Sequence, residues 1–134
     1  MQTIFELKTK LTIDMDMFEQ MKKTAEAELS KADIGQYTQA VVLLSATGKE
    51  YSTLIKNALS EEKADESALF EKMKNLNDTE ICCALCMWQD KCIDIPSYAF
   101  RELLCALNPK NTETLLFVMT ADGVSAIKVS TTMK

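Results

Sequence analysis

The stretch that decides the fold is residues 77–108, NDTEICCALCMWQDKCIDIPSYAFRELLCALN. It holds all five cysteines of the chain and its only tryptophan, Trp88, which we expect to anchor the core. Residues 81–88 are apolar or cysteine throughout, and a helix that is apolar nearly all round is usually buried. Four later residues recur at the spacing of one helix face, namely Phe100, Leu103, Leu104 and Leu107. We therefore predict two helices that fold back on each other around Pro96.

The two ends of the chain show the alternation that is typical of strands. Residues 3–13, TIFELKTKLTI, place apolar and mostly polar residues on opposite faces, which predicts one long strand covered on one side. Near the other end, the runs TLLFVMT and VSAIKVS flank a turn that contains Asp122 and Gly123, the pattern of a β-hairpin. The first of these runs is apolar on both faces, so we place it in the centre, with the opening strand paired on its other side.

Helical periodicity fills the segments between these ends. A buried stripe of Phe18, Met21, Ala25 and Leu29 predicts the first helix. We predict further helices near residues 37–47, 49–59 and 60–76, although AVVLL at residues 40–44, taken alone, also fits a buried strand.

The expected fold is a single α+β domain over residues 1–134. Five to six helices pack on one face of a small, mainly antiparallel three-stranded sheet formed by the N-terminal strand and the C-terminal β-hairpin. The uncovered face, with Leu116 and Val118, would be buried in a homodimer.

Composition limits the function. The chain has 134 residues and a net charge of -5, so we expect no direct binding of nucleic acid. The N-terminus lacks the pattern of a signal peptide, and no apolar run approaches the ~20 residues of a membrane helix. We therefore expect a cytoplasmic protein that does not bind a membrane and whose five cysteines are reduced.

Histidine is absent, which removes the commonest general base and most catalytic zinc sites. Neither glycine-rich phosphate-binding motif is present. We accordingly predict no catalytic residue, no metal and no cofactor, and expect a non-enzymatic small acidic protein-interaction domain of the inhibitor, immunity protein, antitoxin or adaptor type. The surface for its unidentified protein partner would be the acidic run Glu61, Glu62, Asp65 and Glu66, although such a run is usually a solvated helix face.

The alternative hypothesis is a thiol-dependent metal-binding or redox module centred on Cys82, Cys83, Cys86 and Cys105. In a helix, the first three lie within about one turn of each other, and an antiparallel partner helix would bring Cys105 to them. Four thiols that converge can hold zinc tetrahedrally, and a pair can act in redox exchange. The competing interpretation is that the cysteines are buried core residues with raised pKa values.

Overall fold

The computed structural model describes residues 3–6, 12–31, 37–60 and 63–133, with side chains from Met15 onward. The α-helices of these ranges are α1 (Met15–Leu29), α2 (Ala64–Asn75), α3 (Tyr98–Leu107) and α4 (Val129–Thr132), and a 3-10 helix spans Pro109–Glu113. The strands are β1 (Thr3–Glu6), β2 (Thr12–Asp14), β3 (Gln39–Ser45), β4 (Glu50–Ile55), β5 (Ile81–Trp88), β6 (Ile93–Asp94), β7 (Leu115–Thr120) and β8 (Gly123–Lys128).

Six of the strands form one mixed sheet. Its order is β4-β3-β5-β7-β8, and the short β6 also pairs with β5. Strand β5 runs antiparallel to β3 and parallel to β7, which places it at the centre. The predicted hairpin of β7 and β8 is confirmed, with Thr120 opposite Gly123. Gly123 has φ +117°, a backbone conformation that glycine adopts without steric cost.

Residues 81–88 form the strand β5, so the predicted helix is wrong. Leu85 and Met87 pack on one face of the sheet, and Ala84 and Cys86 pack on the other. Because both faces of a central strand are covered, nearly every position is apolar and no period of two is visible. A short apolar run of this kind is compatible with a buried strand or a buried helix.

Residues 39–45 and 50–55 form the antiparallel strands β3 and β4, so the two helices predicted there are also wrong. The residues that decide β3 are Ala40, Val41, Val42 and Leu43, each 0% exposed. They alternate between the two faces of the sheet, so the strand has no polar side that could reveal its period.

Helices cover both faces of the sheet, whereas we predicted helices on one face. On the first face, the stripe predicted for α1 is confirmed as its buried side: Phe18, Met21, Ala25 and Leu29. On the second face, α2 and α3 pack together over the sheet through Leu69, Phe70, Met73, Phe100 and Leu104. Both helices had been predicted, and the Ser97 side chain caps α3 by accepting a hydrogen bond from the backbone N–H of Phe100 at 3.1 Å.

The described parts of the N-terminal segment, β1 and β2, do not join the large sheet. Strands β1 and β2 form a separate antiparallel pair, and residues 7–11 of the predicted long strand lie outside the described residues. The expectation of five to six helices on a three-stranded sheet is therefore wrong, although the chain is α+β. Leu116, expected on an open face, is 0% exposed. Covering both faces removes the reason for a homodimer, which stays a prediction.

A buried carboxylate ties the link between α2 and β5 to the sheet. Asp78 accepts three hydrogen bonds, from the hydroxyl groups of Tyr51 at 2.7 Å and of Ser45 and Thr47 at 3.0 Å each. These bonds lower the pKa of Asp78 against the opposing effect of its burial.

A buried amide ties the 3-10 helix to the start of β5. Asn111 is 0% exposed and accepts a hydrogen bond from the backbone N–H of Ile81 at 2.8 Å. It donates to the carbonyl oxygens of Leu104 at 2.9 Å and Thr79 at 3.0 Å. Across the described ranges, none of the helices is both long and apolar enough to span a membrane.

Candidate functional site

A buried carboxyl group marks the amino-terminal end of α2. Glu66 lies in the first helical turn and is 2% exposed. Its carboxylate is 3.8 Å from Nζ of Lys63, which also donates a hydrogen bond to the carbonyl oxygen of Ala58 at 3.3 Å. Burial raises the pKa of Glu66, and its backbone hydrogen bond and the charge of Lys63 oppose that effect. A carboxyl group with a raised pKa is suited to give and take a proton.

Sequence reasoning missed Glu66 because we treated it as part of a solvated acidic run. Its position carried a signal, since it falls at helical spacing with Leu69, Phe70 and Met73, the buried stripe of α2. An acidic residue on an apolar stripe must either be paired or hold its proton. Its place on the apolar stripe distinguishes Glu66 from Glu71, which is exposed on the same helix.

A cleft of about 240 Å³ opens beside Glu66. The end of β4, the loop after it and the first turn of α2 form its walls, through Ile55, Lys56, Asn57, Ser60, Ala64 and Asp65. Asp65 accepts a hydrogen bond from the backbone N–H of Lys56 at 3.1 Å, which joins the loop to the helix. The cleft thus presents amide, hydroxyl and carboxylate groups next to a buried carboxyl group.

An aromatic cleft of about 310 Å³ lies further along the same loop, between Tyr37, Leu59, Trp88, Gln89 and Asp90. Tyr37 is 41% exposed, and its carbonyl oxygen accepts a hydrogen bond from the backbone N–H of Ala58 at 2.8 Å. Trp88 ends β5, is half-buried and packs against the core on the face of α2 and α3, as predicted, and it also borders this cleft. We call the two neighbouring clefts together the α2 cleft.

A larger cavity, about 500 Å³, lies on the other face of the sheet between α1 and the turns of the β-strands. Its lining is mainly apolar and includes Phe18 and Ile93. The titratable side chains of its described lining are exposed or half-exposed, so it holds no counterpart to Glu66. For chemistry, the α2 cleft is therefore the better candidate although its volume is smaller.

The structure separates the thiols that the alternative hypothesis brought together. Because side chains alternate along a strand, Cys83 points to the α1 face and Cys86 to the face of α2 and α3. Cys82 is exposed and Cys105 is half-buried on α3. Within the described ranges, no group of three or more cysteine or acidic side chains is placed to hold a metal ion.

Burial keeps the two inner thiols protonated, as the competing interpretation expected. It raises the pKa of Cys83 to about 12, with a smaller effect of Cys82, and raises the pKa of Cys86 further. These thiols are therefore poor nucleophiles in the folded protein.

The two described residues of the acidic run, Asp65 and Glu66, are not freely exposed. Glu66 is buried and Asp65 is half-buried and bonded to the loop, while Glu61 and Glu62 lie outside the described residues. A protein partner stays a prediction.

Several solved structures with the same fold are cytidine deaminases. The enzyme from Mycobacterium leprae is 16% identical, with a TM-score of 0.61, over 87% of this chain and 96% of that one. The Mycobacterium tuberculosis enzyme is 11% identical, with a TM-score of 0.63, over 89% and 94%. The Burkholderia pseudomallei enzyme is 12% identical, with a TM-score of 0.59, over 84% and 93%. No family model and no curated protein matches the sequence.

This likeness contradicts two of our expectations. The fold is one that enzymes use, so the hypothesis of a non-enzymatic protein-interaction domain is wrong, and so is the prediction that the chain is not an enzyme. The absence of histidine misled us, because it excludes some catalytic groups and leaves a buried carboxyl group available.

The residues present do not fit the zinc ion that deaminases of this kind use. Zinc deaminases hold the metal with a histidine and two cysteines, or with three cysteines. This chain has no histidine, and its described cysteines diverge from each other.

Proposed function

We propose that this chain is an enzyme that binds a nucleoside-like small molecule in the α2 cleft and transfers a proton through Glu66. The observation that carries the proposal is the burial of the Glu66 carboxyl group at the edge of that cleft. The choice of ligand is supported by the names of the structural neighbours, which are deaminases of cytidine.

The two parts of the α2 cleft suit the two parts of such a ligand. Tyr37 and Trp88 supply aromatic surface on which a planar base stacks. Stacking of this kind does not depend on which base is bound. Asn57, Ser60 and Asp65 supply hydrogen-bonding groups for exocyclic or sugar groups. Leu59 of the aromatic part and Ser60 of the polar part are adjacent in the chain, which supports one ligand that spans both parts.

Glu66 acts as a general acid or base in this proposal. Burial raises its pKa above that of an exposed carboxyl group, which favours a role as a general acid or base. Lys63, 3.8 Å away, limits that shift and stabilises the carboxylate after the proton has left. The chemistry is proton transfer to or from a ring nitrogen or an attacking water.

Trp88 provides a direct test, because it is the only tryptophan of the chain and lines the α2 cleft. Cytidine, uridine, adenosine and guanosine are each titrated while its fluorescence is followed, and products are identified by liquid chromatography and mass spectrometry. We expect at least one nucleoside to change the fluorescence with saturation and to be converted. Failure of all four to bind would refute the ligand class.

Glu66→Gln separates binding from catalysis. The change keeps the shape and removes the transferable proton, so we expect binding to persist and turnover to fall by ~10²–10⁴-fold. Glu71→Gln is the matched control, because it makes the same change at an exposed position of the same helix. Equal turnover of the two variants would exclude Glu66 as the acid or base.

We also propose a cytoplasmic location. All five cysteines are free, and Cys82 and Cys92 are exposed. Exposed thiols persist in reducing compartments and are oxidised elsewhere. Detection of the native protein in a secreted or membrane fraction would contradict this location.

A further inference from the structure

Two helix starts keep the spacing of the zinc-deaminase signature without its ligands. That signature is H-x-E, followed later in the chain by P-C-x-x-C, and its glutamate is a general acid and base that does not bind the metal. Residues 64–66 at the start of α2 read A-D-E, and residues 96–100 at the start of α3 read P-S-Y-A-F. The glutamate and the proline match, and Ala64, Ser97 and Phe100 stand at the ligand positions.

The structure supports this register in both helices. Of the two glutamates of α2, only Glu66 is buried. Of the two prolines of the chain, only Pro96 stands before a helix that packs against α2. The two segments also occur in the order that the signature requires.

None of the three residues at the ligand positions is free to hold an ion. Ala64 has no donor atom. The hydroxyl oxygen of Ser97 accepts a hydrogen bond from the backbone N–H of Phe100 at 3.1 Å. The Phe100 ring is 1% exposed and lies 5.3 Å from the Phe70 ring of α2, centroid to centroid, with 52° between the planes. That arrangement is a favourable aromatic contact.

We propose that the folded, functional protein contains no metal, and that Phe100, which stands at a ligand position of α3, instead joins α3 to α2 through Phe70, about 9 Å further along α2 than Ala64. A metal ion that bridges helices contributes to folding because its ligands come from both. Here the apolar contact takes over that role, and the cleft beside Glu66 is left open for a ligand. The inference does not depend on the nucleoside proposed above. Metal content and nucleoside binding are measured in separate experiments, and either proposal can be refuted without the other.

The first test uses the protein as it is purified from cells grown with added zinc. We expect native mass spectrometry to give the mass of the bare chain, and the melting temperature to be unchanged after dialysis against a chelator. One equivalent of bound zinc, or a chelator-induced fall in the melting temperature, would overturn the proposal.

The second test restores the ligands with the triple variant Ala64→Cys, Ser97→Cys and Phe100→Cys. If the register is right, the new thiols meet, and Co²⁺ should bind with the charge-transfer and d–d bands of tetrahedral thiolate coordination. The control is Ser67→Cys, Tyr98→Cys and Ala106→Cys, which adds three thiols at exposed positions of the same helices. Tyr98 and Ala106 are about 12 Å apart along α3, too far to share an ion. Equal cobalt binding by the two variants would refute the register.

A third variant covers the case in which loss of the Phe100 ring prevents folding. Ala64→Cys with Ser97→Cys changes two exposed residues and leaves the aromatic contact in place. Phenylarsine oxide bridges two thiols that lie close enough to share one atom. A bridge between the introduced thiols, located by peptide mapping, supports the register, and its absence overturns it.

Discussion

Phe100→Leu should weaken the contact between α2 and α3 by a measurable amount. The side chain is 1% exposed, so its replacement leaves a small cavity in the core. Truncation of a buried phenylalanine to alanine costs about 3–5 kcal/mol, and leucine keeps most of the volume. The aromatic contact with Phe70 adds about 0.5–1.5 kcal/mol beyond the buried area. We therefore expect Phe100→Leu to lower the free energy of unfolding by roughly 1.5 kcal/mol.

Urea denaturation followed by Trp88 fluorescence measures this change, with Phe70→Leu and the double variant completing a cycle. The two rings are 5.3 Å apart, so we expect a coupling energy of about 0.5–1.5 kcal/mol. Phe117→Leu is the control, because Phe117 pairs with Phe18 at 5.2 Å on the opposite face of the sheet. Its effect should add to that of Phe100→Leu within about 0.5 kcal/mol. A coupling of Phe70 with Phe100 no larger than this control would refute the aromatic link.

Three further changes test the rest of the structure. Asp78→Asn should lower the melting temperature at pH 7. The folded pKa of Asp78 is depressed, so its contribution is present above the unfolded pKa of about 4 and fades as the pH falls through the folded value. A pH-independent difference from the native chain would contradict this reasoning. A thiol reagent should label Cys82 in the folded protein and Cys86 only after denaturation, as peptide mapping would reveal, because Cys82 is exposed and Cys86 is buried. Asn111→Ala should cost roughly 3 kcal/mol in urea denaturation, since it leaves one N–H and two carbonyl groups without their amide partner. A loss below about 1 kcal/mol would mean that water replaces the amide.

The amphipathic helices were predictable from sequence because only one face of each is apolar, so that apolar residues recur at helical spacing. Helix α1 contacts the sheet through one stripe and solvent through the rest, so Phe18, Met21, Ala25 and Leu29 stand out at helical spacing. Helix α3 follows the same rule, and Pro96 and Ser97 mark its start. The β7–β8 hairpin was predictable for a different reason, since its turn requires the positive φ of Gly123.

The central strands were not predictable from the same patterns. Their side chains are buried on both faces of the sheet. The sequences of β3 and β5 are therefore apolar at nearly every position and lack the alternation of polar and apolar residues that marks a strand. The preference between helix and strand then depends on neighbours that are distant in the chain. Strand β5 pairs with β3, about 40 residues earlier in the chain, and with β7, about 30 residues later. This pairing is determined by tertiary packing and not by local propensity.

The error in β5 also hid the candidate functional site. As a helix, residues 81–88 would have buried Trp88 beside the cysteines and left the acidic segment as a solvated face. As a strand, they carry Trp88 to the end of the sheet, where it lines a cleft with Leu59 of the loop between β4 and α2. Binding sites in sheets with covered faces form at strand ends, since the faces themselves are occupied by helices. The buried carboxyl group of Glu66 and the aromatic surface of Trp88 therefore belong to one region of the molecule only because residues 81–88 are extended.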